Sequence, residues 1–250
     1  MSVWLVLPSK RPIEQCRPVF EAWRSMGYEV AIQRDEGEWW SGSVCNKFAA
    51  VVFQRAYAGY AEAVNYLSKL ILRDNPDCDW VVTAGDDTYP DPKKQADEIA
   101  EECTEYFSAH SHHSHGATFG VMQPTGDPWC DSKGRIIERI AGSPWMGREW
   151  CLRANQGRGP QWPEYTHMFA DEELQLVAQK LGVFWQRPDL THRHDHWTRE
   201  NNRSVSSSQA KKPMPQFLAE AYSREHWDKY KAIFLARRAQ GFPGSDPLSV

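Results

Sequence analysis

Along the first 110 residues, short apolar runs alternate with longer stretches in which apolar residues recur every three or four positions. Val3-Trp4-Leu5-Val6-Leu7 is an unbroken apolar run halted by Pro8, the pattern of a strand covered on both faces. Pro12 then opens a helical stretch with Ile13, Cys16, Phe20, Trp23 and Met26 on one face, and Gly27 stands where a helix should end. Tyr28 to Gln33 reads as a second strand and Ala49 to Gln54 as a third. A helix from about Ala58 carries Tyr60, Val64, Leu67 and Ile71 on one face. The next strand, Trp80 to Ala84, runs straight into Gly85-Asp86-Asp87, and a helix after Pro92 carries Ile99, Cys103 and Phe107. Strands alternating with helices of this size predict an α/β fold with a mostly parallel central sheet flanked by helices. Ligands on such sheets bind outside the carboxyl ends of the strands. That places Ser9–Arg11, Arg34–Asp35 and Asp86–Asp87 along one edge.

The second half is less regular. Phe119–Gln123 reads as a strand and Arg135–Ile140 as another, while 142–163, rich in Gly, Pro, Trp and Arg, reads as long loops near the site. Asp171 begins a helix carrying Leu174, Val177 and Leu181, closed by Gly182, and Val183–Gln186 is a short strand. Residues 201–210 are polar and read as a mobile loop. A final amphipathic helix carries Trp227, Tyr230 and Phe234. The expected organisation is a catalytic domain over 1–197, with a donor-binding part over about 1–125 and an acceptor part over about 126–197. Residues 198–250 then form a loop and a helix packing on that domain.

Composition adjusts this picture in three places. No uncharged apolar run approaches the roughly 18 residues of a membrane span, and the N-terminus lacks a signal-peptide pattern. The six cysteines are scattered with no CxxC pair, which predicts reduced thiols and a cytoplasmic protein. The net charge of -4 is unevenly divided: Arg199 to Gln240 holds nine Lys/Arg against four Asp/Glu, hence +5, and the remainder carries -9. Such a basic stretch is either a solvated helical face or a contact for a polyanion.

The strongest chemical signal is Asp86-Asp87 at the end of an apolar strand. Adjacent carboxylates repel unless a cation or basic group neutralises them, and a hard divalent ion such as Mn²⁺ or Mg²⁺ both prefers carboxylate oxygens and bridges to a diphosphate. An exposed acidic turn is the plainer alternative. The second signal is Thr191-His192-Arg193-His194-Asp195-His196-Trp197, where alternating histidines on an extended segment point the same way and suit Mn²⁺. His110, His112, His113 and His115 sit in a Ser/His/Gly stretch without an apolar anchor and read as a mobile loop. Asp171-Glu172-Glu173 serves either as the acidic first turn of a helix or as the source of a general base. The aromatic run 162–169 before it is able to hold a ring substrate.

Taken together, Pro8-Ser9-Lys10-Arg11-Pro12 after the opening strand, Asp35 after the second, Ala84-Gly85-Asp86-Asp87-Thr88-Tyr89-Pro90, the acids at Asp171 and a later histidine resemble GT-A glycosyltransferases over about residues 3 to 197. That resemblance implies a Rossmann-like fold and transfer of a sugar from a UDP-sugar with Mn²⁺ or Mg²⁺. Pro8, Ser9, Arg11, Asp35, Gly85 and Asp86 would contact the donor, and Asp86, Asp87, His194 and His196 would serve the metal. Asp171, with Glu172 beside it, would provide the catalytic base. Ala84 departs from the family's D-x-D at its first position. The compact size, Trp-rich loops and basic tail are similar to bacteriophage glycosyltransferases, some of which modify 5-hydroxymethylcytosine in DNA. The implied partner is then DNA with a hydroxymethylated pyrimidine in an infected host. Trp145, Arg148, Arg153, Arg158, Trp162, Lys211 and Lys212 would meet that acceptor. The competing readings are a polysaccharide, lipid or protein acceptor, a nucleotide- or glycan-binding module without catalysis, and a metal-dependent hydrolase.

Overall fold

A computed structural model describes residues 2–37, 48–110, 116–128, 130–131, 133–136, 142–200, 203–204 and 210–249. Its centre is a seven-stranded sheet. In chain order the strands are β1 (Ser2–Pro8), β2 (Glu29–Arg34), β3 (Val51–Gln54), β4 (Cys78–Val82), β6 (Val121–Pro124), β7 (Trp145–Gly147) and β8 (Phe184–Arg187). In space they run β3-β2-β1-β4-β7-β6-β8. Six strands point one way, and β7 alone runs against β4 and β6. The expected α/β class with a mostly parallel sheet flanked by helices is the fold the chain adopts. The short β5 (Thr88–Tyr89) pairs antiparallel with β9 (Arg193–His194), and β10 (Arg199–Glu200) with β11 (Arg203–Ser204), outside the main sheet.

The apolar run at the N-terminus forms β1 because both its faces are covered: Val3 to Leu7 are all buried. Helix α1 (Ile13–Ser25) turns its Cys16, Val19, Phe20 and Trp23 inward and ends at Gly27, whose φ of +84° only glycine adopts without strain. Helix α2 (Tyr60–Asp74) precedes β4, and α3 (Ala96–His110) follows it. The chain steps from β1 to β2 in one direction across the sheet and from β3 to β4 in the other. The reversal leaves a crevice between the carboxyl ends of β1 and β4, where open α/β sheets place their ligands.

Three expectations change. Residues 142–163 are not only loops: they contain β7 and α4 (Arg148–Gly157), kinked at Ala154–Gln156, where Asn155 and Gln156 take positive φ. Gly147 makes β7 possible, since a Cβ there would lie 2.0 Å from the Thr118 carbonyl oxygen. The strand expected at 135–140 is represented by one bridge between Cys130 and Ile136, and 137–140 lie outside the described residues. His110 closes α3, stacked on Tyr106 at 4.2 Å, whereas His112, His113 and His115 lie outside the described residues, as does most of 201–210.

Helix α5 (Ala170–Lys180) follows Phe169, whose φ is +70°, and α6 (Arg224–Ala239) packs upon it. Phe234 stacks on Phe169 at 5.2 Å, and Arg237 forms a buried pair with Glu173, Nη2 to Oε1 2.6 Å. The five described cysteines are all free thiols, and Cys45 lies outside the described residues. Among the described residues no helix is long and apolar enough to cross a membrane.

Candidate functional site

The loops leaving β1 and β4 meet at a charged cluster. Ser9 Oγ donates to Asp86 Oδ2 at 2.7 Å, Arg11 Nε to Asp86 Oδ1 at 2.5 Å, and Arg11 Nη2 to Asp87 Oδ2 at 2.7 Å. One guanidinium therefore bridges the two carboxylates, which relieves the repulsion that adjacent acids impose. Arg34 holds the same loop in place, its Nη1 donating to the carbonyls of Ser9 and Arg11 at 2.8 and 2.9 Å. The remaining oxygen of Asp87, Oδ1, lies 3.0 Å from His194 Nε2. His194 arrives there because β5 pairs with β9, setting Thr88 opposite His194, while the Asp195 amide donates to the Asp87 carbonyl at 2.8 Å.

The two carboxylates are tuned apart. Burial pushes Asp86 up, against the opposing charge of Arg11. Burial is also the largest single influence on Asp87, but the hydrogen bond and charge of His194, with Arg11 and His196, outweigh it and hold Asp87 well below the usual carboxylate range. Asp87 thus stays an anion, as a cation-binding carboxylate must.

A cavity of about 410 Å³ opens over this cluster, lined by Arg11, Asp86, Asp87, Tyr89, Asp195, Trp197, Lys212 and Pro215. Its outer wall is the segment before α6: Lys212 pairs with Asp195, Phe217 lies with its ring centre 5.8 Å from the Arg11 guanidinium, and Tyr222 Oη is 3.0 Å from His196 Nε2. Asp171 stands in the first turn of α5, one Oδ accepting from the Glu172 amide at 3.0 Å, and Glu172 is half-buried beside it. Burial raises the Asp171 pKa, and the field of His194 reaches it in the opposite sense. Its charge bears on Tyr60 and Tyr222, and it does not itself line the cavity. A carboxylate with a raised pKa is a better proton acceptor than an ordinary one.

Of the three histidines expected on one face, His194 and His196 come together with ring centres 5.2 Å apart, whereas His192 is turned into the core because β9 spans only Arg193–His194. His192 is buried against Trp23 at 5.0 Å with Nδ1 3.0 Å from Ser143 Oγ, and burial lowers its pKa to about 3. His196 meets Thr198 through Nδ1 and Tyr222 through Nε2, and burial, then the charge of His194, lowers its pKa to about 3. His196 meets other protein groups through both ring nitrogens, whereas His194 Nε2 meets Asp87, the carboxylate with which it would share a cation.

The residues expected at a DNA acceptor are also placed otherwise. Trp145 lies in the core against Tyr28 at 5.6 Å. Trp162 is held between Arg158 at 3.9 Å and Arg237 at 3.3 Å. Arg148 donates to the carbonyls of Leu72, Asn75 and Cys78, and Arg153 to that of Leu248 while lying over the Phe119 ring. Lys211 pairs with Glu200 and Lys212 with Asp195. These arginines are turned inward by carbonyls that need donors, which nothing local in the sequence reveals. Among the donor residues, Pro8 ends β1, and Asp35 accepts from the amides of Glu36 and Tyr57 at 3.0 and 3.1 Å and lies 3.7 Å from Lys10 Nζ. Sequence reasoning placed Tyr60 on a helix face and Trp197 at the end of the histidine run without assigning either to the site, and it passed over Tyr222, which no motif surrounds.

Among the described residues no three His, Cys, Asp or Glu side chains converge as a closed metal site. Asp87 and His194 supply one carboxylate and one imidazole with facing donor atoms. That is the open set expected where a hard divalent ion takes its other ligands from phosphate oxygens and water. The residues therefore fit Mn²⁺ or Mg²⁺ bound together with a diphosphate provided the ion takes the place of the Asp87–His194 contact; Ser9 and Arg11 hold both oxygens of Asp86, and Arg11 and His194 those of Asp87.

No protein-family model and no curated protein matches the sequence. Among solved structures, the chain is similar to glucosyl-3-phosphoglycerate synthase from Mycobacterium tuberculosis in complex with uridine diphosphate. The identity is 13% and the TM-score 0.48, over 94% of this chain and 79% of that one. The same enzyme in complex with Mn²⁺, uridine diphosphate and phosphoglyceric acid aligns at 13% identity and a TM-score of 0.45, over 78% of this chain and 72% of that one. A glycosyltransferase involved in the glycosylation of the major capsid of PBCV-1 aligns at 13% and 0.37, over 75% and 82%. Identities and scores this low leave the chemistry to be argued from the site itself.

Proposed function

We propose that this chain is a GT-A type glycosyltransferase that moves a sugar from a UDP-sugar to an acceptor hydroxyl. The observation that carries the reading is the convergence of Asp87, His194, Asp86 and Arg11 at the β1/β4 crevice, under the cavity. A divalent cation held by Asp87 and His194 would neutralise the charge that develops on a departing nucleoside diphosphate. The chain's own groups do the rest. Arg11, ordered by Asp86 and Arg34, presents a fixed positive charge to the diphosphate, and Ser9 orients Asp86. Trp197 and the segment before α6 line one side of the cavity. Asp171, with its raised pKa, is the acceptor for the hydroxyl proton.

The test is incubation with Mn²⁺, a panel of UDP-sugars and acceptors, with UDP release and product mass as readouts. Donor turnover that disappears with EDTA and falls at least about a hundredfold in Asp87→Ala supports the reading. Absence of UDP release with every donor would sink it.

The finer reading, a 5-hydroxymethylcytosine acceptor in duplex DNA, is supported by the +5 charge of residues 199–240, although most of the arginines expected to meet phosphate are engaged within the protein. A duplex containing the modified base belongs in the same panel. UDP release without a hexose-sized mass gain on the DNA removes this acceptor and leaves the transferase reading intact.

A further inference from the structure

His194 reaches Asp87 from a strand of two residues, too short to fix a side chain alone. One edge of its backbone pairs with Thr88 in β5. The other is gripped by an ion pair that the chemistry described above does not use. Asp127, in the turn after β6, accepts from the His194 amide through Oδ2 at 3.2 Å, and Arg199 Nη1 donates to the His194 carbonyl at 3.1 Å. The two side chains are joined in a bidentate fork, Nη1 to Oδ2 at 2.7 Å and Nη2 to Oδ1 at 2.6 Å, with Nη2 also donating to the Pro128 carbonyl at 3.2 Å. They are 7% and 4% exposed, so neither is an ordinary surface charge.

Burying such a pair costs desolvation that its attraction only roughly repays, so stability alone is a weak reason for it. Its geometry gives a better one. Acceptor and donor of a single fork hold the amide and the carbonyl of one residue, and that residue is His194. The turn carrying Asp127 is itself pressed against the approach to His194: the Gly126 amide donates to Leu190 O at 2.7 Å, and a Cβ on Gly126 would lie 2.6 Å from that oxygen.

We infer that Asp127 and Arg199 are positioning residues that fix the His194 imidazole on Asp87 and thereby set the cation affinity of the site. The consequence for cation affinity rests on the proposed function, in which Asp87 and His194 hold the metal. The geometric part does not.

The experiment uses the full chain as wild type, Asp127→Asn, Arg199→Lys and the double variant Asp127→Leu/Arg199→Met, which leaves no buried charge and so keeps the fold even if a single variant does not. The first readout is the His194 Nε2 resonance in ¹⁵N imidazole spectra at one pH, each with and without Asp87→Asn. The second is binding of Mn²⁺ in the presence of UDP, followed by electron paramagnetic resonance. In the wild type the His194 resonance moves when Asp87 becomes Asn. In the fork variants that response is lost, and Mn²⁺ affinity drops about tenfold to a hundredfold. A His194 resonance that still responds to Asp87 in the double variant overturns the inference. If the wild type binds no Mn²⁺ with UDP, the metal reading falls, and the imidazole spectra still decide whether the fork positions His194.

Discussion

Position 85 shows how narrow the site is at the level of single side chains. A Cβ on Gly85 would lie 2.5 Å from Asp87 Oδ1 and 3.5 Å from His194 Nε2, so the glycine is what lets these groups meet. Gly85→Ala should fold and yet lower donor turnover about a hundredfold, the scale of an ångström-sized misplacement, in a UDP-release assay. His167 makes a different prediction. Burial of its ring, helped by the charge of His226, lowers its pKa, so the folded protein keeps it neutral while the unfolded chain protonates it below about pH 6.5. Its contribution is present above that pH and is lost as pH falls toward the folded value, at up to about 1.4 kcal/mol per pH unit. Asp86 and Asp171, raised by burial, act in the opposite sense, favouring the fold at low pH and losing that contribution as pH rises through their folded values. Melting curves at a series of pH values should therefore show a shallower acid-side fall in His167→Gln than in the wild type. Much of this scale is closed to sequence reasoning. Asp86 and Asp87 are legible as a pair, but their neutralisation by Arg11, 75 positions away, is not.

At the scale of elements, α6 is tied to α5 and the segment before it by a few buried contacts. Arg237 reaches Glu173 through Nε and Nη2, Tyr165 Oη donates to the same carboxylate at 2.7 Å, and Trp162 is sandwiched between Arg237 and Arg158. Removing one partner of a buried pair strands the other charge, so Arg237→Ala should cost about 3 to 5 kcal/mol in denaturant unfolding. Arg224→Ala, which loses only an exposed pair with Asp228, should leave the midpoint where it is. The helices were readable because a periodic apolar face is a local property: α1, α2, α3, α5 and α6 all fall where the spacing puts them. The pairing of β7 and the kinked α4 were not, since Gly147, Pro160 and the tryptophans around them look locally like loop. Only the close approach of Thr118 and the sheet edge offered by β4 and β6 make a strand there.

At the scale of the whole molecule, ligand binding and stability are linked. A ligand set that binds only the folded chain stabilises it by about 2.7 kcal/mol at a hundredfold excess over its Kd. Mn²⁺ with UDP should thus raise the melting temperature, UDP with EDTA should not, and Asp87→Asn should abolish the shift. The sequence by itself determined the α/β alternation, the burial of β1, and the arrival of Ser9–Arg11 and Asp86–Asp87 at one edge of the sheet. Each of these follows from hydrophobic runs and periods that a short segment carries alone, and from the rule that parallel strands end on the same side. The tertiary structure alone decided which of three histidines faces Asp87, that a guanidinium bridges the carboxylate pair, and that Arg148 and Arg153 serve backbone carbonyls rather than an outside partner. Those outcomes depend on β5 meeting β9 and on strand ends meeting across tens of residues. Hydrogen-bond partners distant in sequence leave no period or spacing in the chain from which they could be read.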